Sequence, residues 1–111
     1  MTERIKLVQG DTAPQIRLTL TDTETSDPKD LTGATVTLHF RAEGADTVLF
    51  SRAAFINPDE AETGVCYIEW QEGDLDVDEG NYQGEIEVVG ATGTRETIYT
   101  ILKFKVRSQF A

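Results

Sequence analysis

The chain contains one histidine, His39, and one cysteine, Cys66, so any nucleophile-and-base scheme built on a thiol must use these two residues. A thiolate nucleophile needs its base within hydrogen-bond reach. The local pattern keeps the pair apart. His39 alternates with Val36, Leu38 and Phe40 and falls on the polar side of that segment, whereas Cys66 shares the apolar side of another segment with Ile68 and Trp70. Ser26, Ser51 and Ser108 stand in no nucleophile-elbow pattern, and no glycine-rich phosphate loop precedes a helix. Asp and Glu are so abundant that no single carboxylate pair is marked out for acid/base work. The most suggestive spacing is acidic: Asp74, Asp76 and Asp78 occupy positions 1, 3 and 5 of an EF-hand register, with Glu85 at position 12. At position 6, Glu79 stands where that loop requires glycine for its sharp turn, and the flanking segments read as strands. These residues point to a non-enzymatic protein with no metal and no cofactor, and to a solvated acidic corner at 74–79.

The segments that must position these groups are strands. Eight Val, seven Ile and fifteen Thr, against nine Ala and eight Leu, favour pleated surfaces over helices. Ile16, Leu18 and Leu20 alternate with polar residues, as do Val36, Leu38 and Phe40, then Cys66, Ile68 and Trp70, then Tyr82, Gly84, Ile86 and Val88. Further strands are expected around Arg4 to Gln9, around Val48 to Phe55 and, as one long element, around Arg95 to Arg107. Turn residues separate them at Gly10-Asp11, 22–30, 43–46, 57–59 and 90–93. The expectation is an all-β, immunoglobulin-like antiparallel β-sandwich of about seven strands, a single domain over residues 1–111.

Two details refine it. The acidic turn Gly73 to Gly80 runs into Asn81-Tyr82, the pattern of a corner in which a strand-opening tyrosine ties a loop back to the backbone. Gly84 stands where an antibody domain has its second disulfide cysteine, and Trp70 lies on the fifth strand, so the domain is expected to be disulfide-free. Phe40, Phe50, Trp70, Tyr82 and Phe104 read as core, leaving Tyr67 and Tyr99 as the outward aromatics.

Charge bounds the partners. Ten Lys and Arg against twenty Asp and Glu give a net charge of −10, which repels phosphate backbones and argues against nucleic acid. The longest purely apolar run is four residues, far below a membrane span, and residues 1–12 carry no signal-peptide core. Residues 53–94 hold eleven acids and no Lys or Arg, while Arg4, Lys6, Lys103, Lys105 and Arg107 cluster in the first and last strands. On the last strand Tyr99 and Ile101 point to the same side as Lys103 and Lys105, so both of its faces carry apolar groups. Tyr99, Ile101, Lys103 and Lys105 are therefore the candidate subunit interface, and Tyr82 the candidate structural corner.

Val8-Gln9-Gly10-Asp11, then Asp30-Leu31-Thr32-Gly33-Ala34-Thr35-Val36, then Thr63-Gly64-Val65-Cys66-Tyr67, Gly80-Asn81-Tyr82 and Phe104-Lys105-Val106 together resemble the N-terminal domain of phage baseplate upper proteins. The resemblance spans nearly the whole chain, and the Asp-Leu-Thr-Gly-Ala-Thr-Val block is its most specific part. It implies a structural component of a phage or prophage tail, made in the host bacterial cytoplasm and located in the virion. Other tail or baseplate proteins would be its partners, and it would be a homo-oligomer in the assembled tail. Proteins of this kind usually carry further segments that hold receptor-binding proteins; with the chain ending at Ala111, the tail-attachment or structural role is the one implied. The alternative from another class is an immunoglobulin-like module on a bacterial surface that binds a carbohydrate or acts as an adhesin.

Overall fold

The computed structural model describes residues 4–13, 15–21, 25–98 and 101–108. Its strands are β1 (Ile5–Val8), β2 (Ile16–Thr19), β3 (Thr35–Ala42), β4 (Phe50–Ala53), β5 (Val65–Ile68), β6 (Gly80–Val89), β7 (Arg95–Thr97) and β8 (Leu102–Arg107). A single 3₁₀ turn, Ala61–Thr63, precedes β5, and no α-helix occurs among the described residues. The larger sheet has the order β1-β8-β6-β3-β4, with β7 also paired to β6, and the smaller sheet is β2-β5. The two apolar inner faces meet in one buried cluster, which makes the fold an immunoglobulin-like β-sandwich.

Alternation accounts for the inner faces. Val36, Leu38 and Phe40 of β3 and Tyr82, Ile86 and Val88 of β6 are all buried, as the period of two requires. Gly84 lies among them because it has no Cβ: one built there would come within 2.6 Å of Leu38 and 2.8 Å of Phe104. The Phe104 ring takes the space instead, and Phe40 gathers Phe50, Tyr82 and Phe104 at ring-centroid distances of 4.8, 5.1 and 5.3 Å. Gly64 is fixed for a different reason. Its φ of +78° is left-handed, and a Cβ there would stand 2.3 Å from the Leu20 carbonyl oxygen.

Two expectations are corrected. The sandwich is not wholly antiparallel, because β1 pairs parallel with β8, Ile5 opposite Phe104 and Leu7 opposite Val106. These strands lie at opposite ends of the described chain, so no tight turn has to join them and a parallel partner is available. The last strand is also divided. Between the pairs Glu87–Thr97 and Gly84–Leu102, β6 advances three residues while the returning chain advances five, so pairing breaks after β7 and resumes at β8. The excess is two residues, an even number, so β8 keeps the expected faces: Phe104 and Val106 are buried while Lys105 is exposed.

The Tyr82 hydroxyl donates to the Asp78 carbonyl oxygen, joining the acidic loop to the start of β6. Tyr82→Phe removes that bond without changing the ring and should lower stability by about 1–2 kcal/mol in urea titration. An unchanged midpoint would show that the corner contributes nothing. Cys66 is fully buried, and burial pushes its thiol from about 9 up to about 11. The unfolded chain releases that proton near pH 9 while the folded chain keeps it, so folded molecules bind more protons between pH 9 and 11 and stability falls as pH rises through that window. Cys66→Ala should flatten this alkaline slope relative to the unsubstituted chain; identical slopes would count against the assignment.

Candidate interaction surface

The outer face of the larger sheet brings together side chains far apart in sequence. The pairings of β3, β6 and β8 place Arg41 opposite Gln83 and Gln83 opposite Lys103 in one cross-strand row. A second row joins Lys6, Lys105 and Asn81 across β1, β8 and β6. Arg41 donates to the Gln83 amide oxygen at 3.2 and 3.3 Å. Among the described residues Lys6, Arg41, Lys103 and Lys105 make no ion pair. Lys6 and Lys105, directly opposite each other, repel when no anion lies nearby. They flank a shallow recess of about 340 Å³ floored by Leu7 and Val8.

Beyond the cations the face turns apolar. Ile101 is 37% exposed and Val48 46% exposed, and the two line one recess with His39, Arg41 and Glu85. On the far side of that recess the charges are satisfied internally. His39 Nδ1 lies 2.7 Å from Ser51 Oγ, His39 Nε2 lies 3.5 Å from Glu87, and Arg95 lies 3.6 Å from the same carboxylate. The face thus runs from a self-neutralised end, across a recess where Ile101 and Val48 stand between Glu85 and Arg41, to cations that make no ion pair among the described residues, in a chain whose net charge is −10.

Of the expected interface residues, Ile101, Lys103 and Lys105 lie on this face, and Tyr99 falls outside the described residues. Val48 and Arg41 belong to the surface as well. Their own segments give no sign of it, because only the pairing of β3 with β6 and of β6 with β8 brings them beside Ile101. The segregation of charge along the sequence is partly undone in space: Arg52 bonds Asp74 and Arg95 lies near Glu87, both acids of the 53–94 stretch, while Arg4 of the basic cluster bonds Glu43 at 2.9 Å.

The acidic corner is also corrected. Asp74 is only 7% exposed, and its carboxylate accepts both from the Arg52 guanidinium and from the Gln71 backbone N–H at 2.8 Å. A carboxylate taken out of water needs such partners, and β4 supplies the arginine. Asp76 and Asp78 stay exposed. Among the described residues no group of three His, Cys, Asp or Glu side chains is placed to hold a metal ion. Tyr67 is half-buried, and its hydroxyl donates to Glu60.

No family model and no curated protein matches the chain. The crystal structure of CopC from Methylosinus trichosporium OB3b is similar, with a TM-score of 0.54 over 99% of this chain and 89% of that one, at 10% sequence identity. The likeness is one of fold alone. It is the likeness of two β-sandwiches, and the chemistry of the outer face has to be read from this chain's own residues.

Proposed function

We propose that the chain is a non-enzymatic assembly domain of a phage or prophage tail, acting through protein–protein contacts at or near the baseplate. The observation that carries the assembly reading is the outer face of the larger sheet. Exposed Ile101 and Val48 line a recess with Arg41; Lys6, Lys103 and Lys105 lie on the same face, and none of these four cations makes an ion pair among the described residues. An apolar centre with a charged rim is the anatomy of a protein contact, and the sign of the rim selects an acidic partner surface. The tail setting is supported by the sequence resemblance to baseplate upper proteins. On this reading the protein is made in the bacterial host and resides in the virion, with other tail proteins and further copies of itself as partners.

The test is sedimentation of the chain with the products of adjacent genes across a salt series. Co-assembly should weaken as salt shortens the Debye length from about 10 to about 3 Å, since rim charges are screened while apolar contacts are not. Ile101→Asp should reduce association more than Lys103→Ala or Lys105→Ala, because it puts an unpaired charge in the desolvated centre. A chain that ignores every neighbouring gene product yet binds a glycan array would replace this reading with the bacterial surface module.

A further inference from the structure

The smaller sheet holds two strands, β2 and β5, where an immunoglobulin sandwich of the constant type has four. On the β5 side Tyr67 exchanges both backbone bonds with Phe55, so that edge is occupied. The β2 side is not. The Leu20 N–H donates to the Gly64 carbonyl, so by the alternation of an antiparallel ladder Ile16, Leu18 and Leu20 turn their backbone groups toward β5. Arg17 and Thr19 turn theirs outward, and among the described residues nothing bonds them there. The preceding strand, β1, pairs with β8 of the other sheet instead. Beside the β2 edge lies a crevice of about 220 Å³, walled by Leu18 and Leu20 on one side and by Ile86, Ile98 and Leu102 on the other.

We propose that this edge takes up one extended segment of another protein chain, antiparallel to β2, with apolar residues at alternate positions and an acid among the residues between them. The backbone of that segment exchanges N–H···O bonds with Arg17 and Thr19, which uses all four of their open-edge groups. Its residues opposite Leu18 and Leu20 share the inward face and enter the crevice, which is why they are apolar. The acid follows from charge. Arg17 is the one charged residue of β2 and β5, it is exposed, and among the described residues it makes no ion pair, its guanidinium reaching only the Thr19 hydroxyl at 3.4 Å. A carboxylate in the residue opposite it completes the outward row. One strand fits, and a second sandwich does not: Leu102 of β8 lines the crevice and β1 lies beyond β8, so two copies laid β2 to β2 would drive their larger sheets together, whereas a single added strand needs about 4.8 Å. The site lies on the inner side of the larger sheet, away from Ile101, and goes beyond the outer-face reading.

The probe is a capped synthetic peptide of about eight residues, the length of an ordinary strand, with valine at alternate positions, threonine between them and one threonine replaced by glutamate. Residue-resolved amide hydrogen exchange reads the site directly. In the free chain the Arg17 and Thr19 amides should exchange freely while those of Leu18 and Leu20, bonded to β5, are protected; the peptide should protect Arg17 and Thr19 as well. Thr19→Pro deletes an N–H that faces the open edge, a substitution edge strands tolerate, and should weaken peptide binding about tenfold or more with the fold retained. Arg17→Glu should reverse the charge preference, so that a twin peptide carrying lysine in place of glutamate binds better than the original. Arg17 and Thr19 amides already protected in the free chain, no added protection at up to about 1 mM peptide, or binding that Thr19→Pro leaves intact overturns the proposal. Sedimentation of the chain alone checks the other occupant: a dimer that Thr19→Pro dissolves would give the edge to a second copy and overturn it too. Ile101→Asp should leave peptide binding unchanged, so failure of this site and failure of the outer-face contact are distinguishable.

Discussion

Trp70→Ala lowers the unfolding free energy by about 3–5 kcal/mol, a large fraction of the stability a small domain has. Trp70 is 4% exposed, and its ring packs edge-on against Phe40, Phe50 and Phe104 at centroid distances of 5.7, 6.3 and 5.8 Å. Truncation leaves a cavity bounded by three rings that stand on paired strands of the larger sheet and pack on one another, so little collapse can fill it. One feature sets the indole apart from an ideal core residue: its Nε1–H is buried without a hydrogen-bond partner among the described residues. Trp70→Phe removes that orphan donor together with some volume, so it should cost clearly less than Trp70→Ala. Chemical denaturation followed by circular dichroism measures both. Red-shifted, readily quenched tryptophan emission from the folded chain, or equal losses for the two variants, would count against this placement.

The second large effect concerns the ion pair that fastens the 71–76 loop to β4. Asp74→Ala leaves the Arg52 guanidinium without the carboxylate that both of its donors address. Breaking a fully buried pair costs about 3–5 kcal/mol, and the Arg52 side chain, 24% exposed, recovers part of its hydration, which brings the expected loss to about 2–3 kcal/mol. The Gln71 N–H loses its acceptor in the same substitution. Removing both charges should be milder than removing one: Arg52→Met with Asp74→Ala should recover part of the loss, since no stranded cation remains. A double variant as unstable as the sum of the two single ones would show that the groups do not act as a pair.

The inner faces of β2, β3, β5 and β6 are legible in the sequence because burial on one side of a pleated strand forces a period of two. The aromatic core follows from the same pattern, and the Tyr82 corner from the glycine two residues before a strand-opening tyrosine, an arrangement that recurs in immunoglobulin-like sandwiches. The break between β7 and β8 is not legible. A two-residue slip leaves the alternation of 95–107 intact, so nothing in the pattern of apolar residues reports it. Asp74 misleads for a related reason: an aspartate in an acidic run reads as solvated, and its half-buried partner Arg52 lies 22 positions away.

The sequence by itself determined the all-β class, the inward sets of β2, β3, β5 and β6, the separation of Cys66 from His39, and a charge that repels polyanions. These follow from local period, residue type and sums over the chain, none of which depends on which strands are neighbours. Only the tertiary structure decided that β1 runs parallel to β8, that Val48 and Arg41 stand beside Ile101, that Asp74 is clamped, and that β4 ends its sheet. Each of these depends on strand pairing between distant segments, and backbone hydrogen bonds, being the same for every residue, leave no mark in the sequence to say which segments will meet.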